Sequence, residues 1–210
     1  MSNWSFPSPW YRMAGLILCA SMIACPGCGT DEPSKPPVRT YDEIVQAGWQ
    51  AFQTSEYGSA LSEFRAAVAL DSTRAEGYDG AAWSYSFLDS LDAAIAAFAM
   101  CLERDPSLVD PLVGLAAIYR DVPDFQTAIG YAKQALVLDD DFVFEHQTSY
   151  DWRDVRLILA ECHYAQGQFE DAYEEVRVLD ATFHLDPDSH TYARDLLSKI
   201  EDLVAVHGGV

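Results

Sequence analysis

Three short stretches bring reactive side chains close together. Cys25-Pro-Gly-Cys28 has the spacing of a dithiol or half of a metal site. Glu161-Cys162-His163 sets a carboxylate, a thiol and an imidazole side by side. Asp139-Asp140-Asp141 is a run of cation ligands. The chemistry does not follow from any of them. Neighbouring residues of a helix point in different directions, so residues 161–163 cannot converge on one metal. The aspartate run lacks the glycine and the spacing of a calcium loop. Neither G-x-x-x-x-G-K-S/T, G-x-G-x-x-G nor H-E-x-x-H occurs. Cys101 and Cys162 fall inside helical patterns, where they read as small buried residues rather than a disulfide or a metal pair. The residues therefore point away from an enzyme, a metal site or a bound cofactor.

Charge narrows the class further. Thirteen Lys and Arg face 33 Asp and Glu, a net of −20 over 210 residues. Such a surface repels phosphate backbones and excludes nucleic acid as a partner. It suits a well-solvated surface, or one that draws basic partners. At the N-terminus Arg12 precedes an apolar run, Met13 to Ala24, too short for a membrane span and of signal-segment length. It ends in Met22-Ile23-Ala24-Cys25, which resembles a bacterial lipobox, with methionine in place of the usual leucine. The resemblance implies removal of residues 1–24 and lipidation of Cys25. The alternatives are an ordinary secretory signal or an uncleaved anchor. Residues 25–40, rich in proline and charge and without apolar periodicity, are expected to form a disordered tether.

The elements that could position a binding surface emerge from self-comparison. Ala60, Ala94 and Ala128 stand 34 residues apart, and the text around them recurs: Tyr57…Ala60…Phe64…Ala67, Leu91…Ala94…Phe98…Cys101, Phe125…Ala128…Ala132…Ala135. A fourth copy, Phe169…Ala172…Val176…Leu179, comes 44 residues after the third. Each series marks one face of a helix. Upstream of them Gly48, Ala82, Ala116 and Ala160 mark a second series of small residues. The pattern resembles the tetratricopeptide repeat over about residues 41–181, best in the second repeat, where Ala94, Phe98 and Pro106 all fall in place. Ser72 and Asp140 replace the proline of the first and third repeats, and Ala132 and Val176 replace the phenylalanine of the third and fourth.

The resemblance implies an all-α fold, a right-handed α-solenoid of about four helical hairpins. Helices are expected at about 41–54, 57–70, 75–88, 91–104, 109–121, 125–138, 152–166 and 169–181. A ninth, from Ser189 to Val206, is amphipathic and would cap the stack, so that the repeat domain spans 41–207. The excess of about ten residues between the third and fourth repeats falls in an aromatic insertion, 141–152, expected as a loop over their junction.

In this family the first helix of each hairpin lines a concave groove. Register places Trp49 and Trp83 at one equivalent position there. Phe52, Phe87, Arg120 and Tyr164 come from neighbouring positions. Asp42, Glu76, Asp79, Asp110, Asp121, Asp154 and Glu161 fall on or beside the same face. An aromatic and acidic groove of this kind implies a protein or peptide partner carrying basic residues. The expectation is a scaffold held by a lipid anchor to a membrane of the bacterial cell envelope, facing the periplasm or the exterior. A secreted or periplasmic module binding a small ligand or exported peptide is the alternative.

Overall fold

The computed structural model describes residues 38–147 and 149–207. The expected signal segment, Cys25, Cys28 and nearly all of the tether lie outside the described residues. Within them the chain forms nine helices: α1 Tyr41–Gln53, α2 Tyr57–Leu70, α3 Glu76–Phe87, α4 Leu91–Arg104, α5 Asp110–Asp121, α6 Phe125–Leu138, α7 Trp152–Ala165, α8 Phe169–Leu179 and α9 Tyr192–His207. The fold is the expected all-α helical-repeat solenoid. Each successive pair from α1 to α8 is an antiparallel hairpin, and α9 closes the stack against α7 and α8.

Two local devices repeat along the chain. The first ends each hairpin's second helix. Asp71, Asp105 and Asp180 leave the helix with extended backbone. Each carboxylate then accepts hydrogen bonds from the backbone N–H and hydroxyl of the residue two further on, Thr73, Ser107 and Thr182. Asp139 does the same with the Asp141 N–H. These side chains act as turn-formers, and the bonds hold the Asp71 and Asp105 carboxyls below the usual range. The second device joins helix to helix inside a hairpin. Ser55, Asp89 and Gly167 occupy one equivalent turn position and all have positive φ, at 61°, 57° and 74°. Pro123 holds that position in the third hairpin, where a ring-locked φ forbids it.

Packing between repeats rests on a size exchange. Phe64 and Phe98 are fully buried. A methyl group built at Gly80 would meet the Phe64 ring at 2.2 Å, and one at Gly114 would meet the Phe98 ring at 2.2 Å. Each phenyl ring thus lies against the bare backbone of the next repeat's first helix. At the equivalent pair further on, Ala132 and Ile158, both buried, the large and small residues change places. That keeps the volume of the layer roughly constant.

Curvature follows from which helices touch. The first helices meet one another, α1 with α3, α3 with α5 and α5 with α7, whereas α2, α4 and α6 make no comparable contacts among themselves. The first helices α1, α3, α5 and α7 therefore line the inner, concave side. The insertion does not merely cover the junction between the third and fourth repeats, as expected. It folds into a short antiparallel excursion, with Val143 bridged to Asp151 and backbone bonds Phe144 N–H to Tyr150 O (2.9 Å) and Trp152 N–H to Phe142 O (2.8 Å). This β-excursion runs into the concave face and reaches α1.

Candidate partner-binding groove

Trp49 on α1 and Trp83 on α3 are both core residues and neither is open to solvent; they are 9% and 4% exposed. Phe144, at 0% exposure, is the reason. Its ring stacks on Trp83 with centroids 4.4 Å apart and meets Trp49 edge-on at 6.0 Å. His146 lies flat on Trp49 at 3.5 Å. Burial among these rings depresses the imidazole's affinity for a proton. Phe52 is also buried, packed edge-on against Trp49, Phe87 and Phe144. Aromatic rings bury roughly 150–250 Å² each, so three of them bare on one concave face would be costly. The chain supplies its own cover, and the expected open aromatic groove is corrected to a filled one.

The acidic residues divide by partner. Asp42, Glu76, Asp110 and Asp154 occupy one register position at the start of successive first helices, where the helix dipole favours a negative charge. Asp42 and Glu76 are both taken by Arg74, at 2.7 and 2.9 Å, and its guanidinium also lies over the Tyr41 ring at 3.9 Å. Asp154 is buried and closes the capping box of α7 with Asp151. Asp110 faces Glu145 of the excursion. Burial, then that like charge, raises its pKa to about 6. Asp79 is buried, its Oδ1 has no hydrogen-bond partner, and burial followed by Asp110 and Glu76 pushes its pKa well up. Most of the expected acidic rim is thus structural or self-paired.

One cavity on the inner face gathers several of the residues expected from the sequence. It has a volume of about 100 Å³ and lies between α3, α5 and the base of the excursion. Trp83, Phe87, Leu91, Ile118 and Tyr150 form its walls, with Arg120 and Asp121 beside them. Arg120 donates to Asp121 at 2.9 Å and to Glu161 at 3.3 Å. Four residues singled out from the sequence, Trp83, Phe87, Arg120 and Asp121, meet at this cavity. Tyr164 does not join them. It packs against Phe169 in the separate cluster under α9.

Tyr150 is the functional candidate that sequence reasoning missed. The signal was present in the spacing of Phe142 and Phe144, two apart as on one face of a strand, followed by Tyr150 and Trp152. Among the described residues no three His, Cys, Asp or Glu side chains gather as a metal site.

No family model and no curated protein sequence matches the chain. Solved structures do. YrrB, described as a TPR protein with an unusual peptide-binding site, superimposes with a TM-score of 0.61 at 17% identity, over 81% of this chain and 89% of that one. A thermophilic TPR protein of Thermus thermophilus gives 0.56 at 16% identity, over 80% and 82%. MamA gives 0.56 at 15% identity, over 79% and 81%. The chain has the fold of these tetratricopeptide repeat proteins.

Proposed function

We propose that the protein is a non-catalytic interaction scaffold that captures a peptide or protein partner on its inner face, at the opening left beside its own β-excursion. The observation that carries this reading is the convergence of Trp83, Phe87, Tyr150 and Arg120 around one cavity on the concave side. Aromatic and arginine side chains in a partly desolvated site are the usual anchors of protein recognition. The shared fold with a TPR protein described by its peptide-binding site supports the same reading. The net charge of −20 favours a partner with basic residues around the anchor.

The scaffold is tethered, in this reading, through a lipid on Cys25 at the bacterial cell envelope. Support comes from the apolar run before Met22-Ile23-Ala24-Cys25 and the proline-rich spacer after it. No described helix is long and apolar enough to cross a membrane.

Crosslinked capture from the native envelope tests the site. One stoichiometric protein should be recovered with the native chain and lost with Phe87→Ala, while the helical circular dichroism stays the same. Equal recovery by both chains counts against the cavity. Cys25→Ser should move the protein from the membrane to the soluble fraction, and unchanged membrane association would remove the anchor from the proposal.

A further inference from the structure

We infer that the β-excursion is a latch worked by charge: with Asp110 ionised beside Glu145 it lifts more readily from the concave face, and Tyr150, one wall of the cavity, leaves with it. The lifting follows from how the excursion is packed. Its effect on capture rests on the scaffold reading and adds a regulation to that site.

Rings hold the excursion down, and backbone does not. Phe144 stacks on Trp83 at 4.4 Å, Tyr150 meets the same indole edge-on at 6.0 Å, and His146 lies on Trp49 at 3.5 Å. The backbone hydrogen bonds close on themselves: Phe144 N–H to Tyr150 O, Gln147 N–H to Phe144 O, Tyr150 N–H to Gln147 O and Trp152 N–H to Phe142 O. Among the described residues no backbone hydrogen bond joins the excursion to α1, α3 or α5. It can therefore part from those helices without breaking one. Seating also leaves polar atoms unserved. Trp83 Nε1 and the Tyr150 hydroxyl are buried without a hydrogen-bond partner, a cost that lifting returns by admitting water.

The groups around Asp110 are nearly all acidic. Glu145 faces it from the excursion, and Asp79 and Glu76 stand behind it on α3. On the side of α4 are the Cys101 thiol and Asp105. Arg74, the cation beside Glu76, is already bonded to Asp42 and Glu76. Burial, then the like charge of Glu145, raises the Asp110 pKa from 3.8 to about 6. The seated state thus holds this proton more tightly than the lifted one. Its advantage is full below the ordinary pKa of 3.8 and is lost as pH rises through about 6. His146 works in the opposite sense. Burial lowers its proton affinity, with Glu145 opposing, so its protonation in acid also favours lifting.

Hydrogen–deuterium exchange of the Trp83 indole N–H in the full chain reads the latch, because the seated excursion shields that atom. Loss of one indole signal in Trp83→Phe assigns it. Asp110→Asn should slow the exchange at pH 8, and its advantage over the native chain should be about tenfold smaller at pH 5. Taking the ratio of the two chains cancels both His146 and the intrinsic pH dependence of exchange. Glu145→Gln should act in the same direction and more weakly. Asp92→Asn, exposed on α4, should leave the rate unchanged. In 1 M urea the indole rate should hold while the core amides of α3 accelerate, as local opening exposes far less surface than global unfolding.

Indole exchange that follows the α3 amides in urea overturns the latch, since the excursion then opens only with the whole protein. An Asp110→Asn advantage equal at pH 5 and pH 8 overturns charge as its trigger. Crosslinked capture should fall from pH 5 to pH 8 with the native chain more than with Asp110→Asn, and an equal fall in both removes the regulation. No partner enters the exchange measurement. Its failure would leave capture through Phe87 standing, and loss of the Phe87 dependence would leave the latch standing.

Discussion

Phe64 and Gly80 are one unit, as are Phe98 and Gly114. Gly80→Ala should therefore destabilise the protein by about 1–3 kcal/mol, because the ring it strikes has nowhere to move. Gly130→Ala, at a helical position with nothing within 4 Å, should stabilise it by about 0.5–1 kcal/mol. Urea titration of the pair checks both, and similar midpoint changes in the two variants would contradict the packing account. Asp110 gives a second prediction. Its folded pKa of about 6 lies above its ordinary value near 3.8, so the folded state binds its proton more tightly than the unfolded state does. Its ionisation costs stability as pH rises through 6, and that cost is relieved as pH falls toward 4. The unfolding free energy from urea titration should be higher at pH 5 than at pH 7.5, by about 1–3 kcal/mol from this group. Asp110→Asn should raise the pH 7.5 value and flatten the profile. The sequence revealed the alanine and phenylalanine series because they recur at a fixed period. It hid Gly80 and Gly114, because their register position holds Gln46 in the first repeat and Ile158 in the fourth. The first repeat has no preceding phenylalanine to admit, and the fourth follows Ala132. The compensation is pairwise and leaves no single-column pattern.

The helices themselves were legible almost to the residue, since each hairpin carries its own apolar stripe and turn. The β-excursion was not. A short irregular segment of about ten residues has no period long enough to show which distant surface it seeks, and register alone turned Trp49 and Trp83 inward without showing that Phe144 fills the space they face. The element's weight can be measured. Phe144→Ala removes a fully buried ring and should cost about 3–5 kcal/mol. It should also let water reach Trp49 and Trp83 in the folded state, red-shifting tryptophan emission while helical circular dichroism persists. Emission identical to that of the native chain would mean that the excursion does not shield the indoles. The predicted contact surface shrinks accordingly. Of the aromatic residues named from the sequence, Trp49, Phe52 and Trp83 are buried, while Phe87 and Tyr164 stay partly exposed.

Among the described residues the core forms three clusters, the smallest being Tyr41, Ile44 and Ala67 at the start of the stack. Val155, Ile158 and Leu159 of α7 belong to the large cluster that includes Trp49, Phe64, Phe98 and Phe144. Leu157 and Ala160 of the same helix belong to a smaller one with Ala172, Val176, Leu196 and Ile200. This cluster under α9 should open at lower free energy than the large one. Native-state hydrogen exchange should show α8 and α9 amides exchanging well before those of α3 and α5, and uniform protection would refute the division. A plain repeat stack couples only neighbours. Here Trp49 and Phe144, 95 residues apart, are in contact, and that contact imposes a timetable on synthesis. At about 5–20 residues per second, the first hairpin waits roughly 5–20 seconds for the segment that covers it. For that interval the newborn chain presents bare indole rings, so its earliest companion in the cell is whatever shields them until residue 144 arrives.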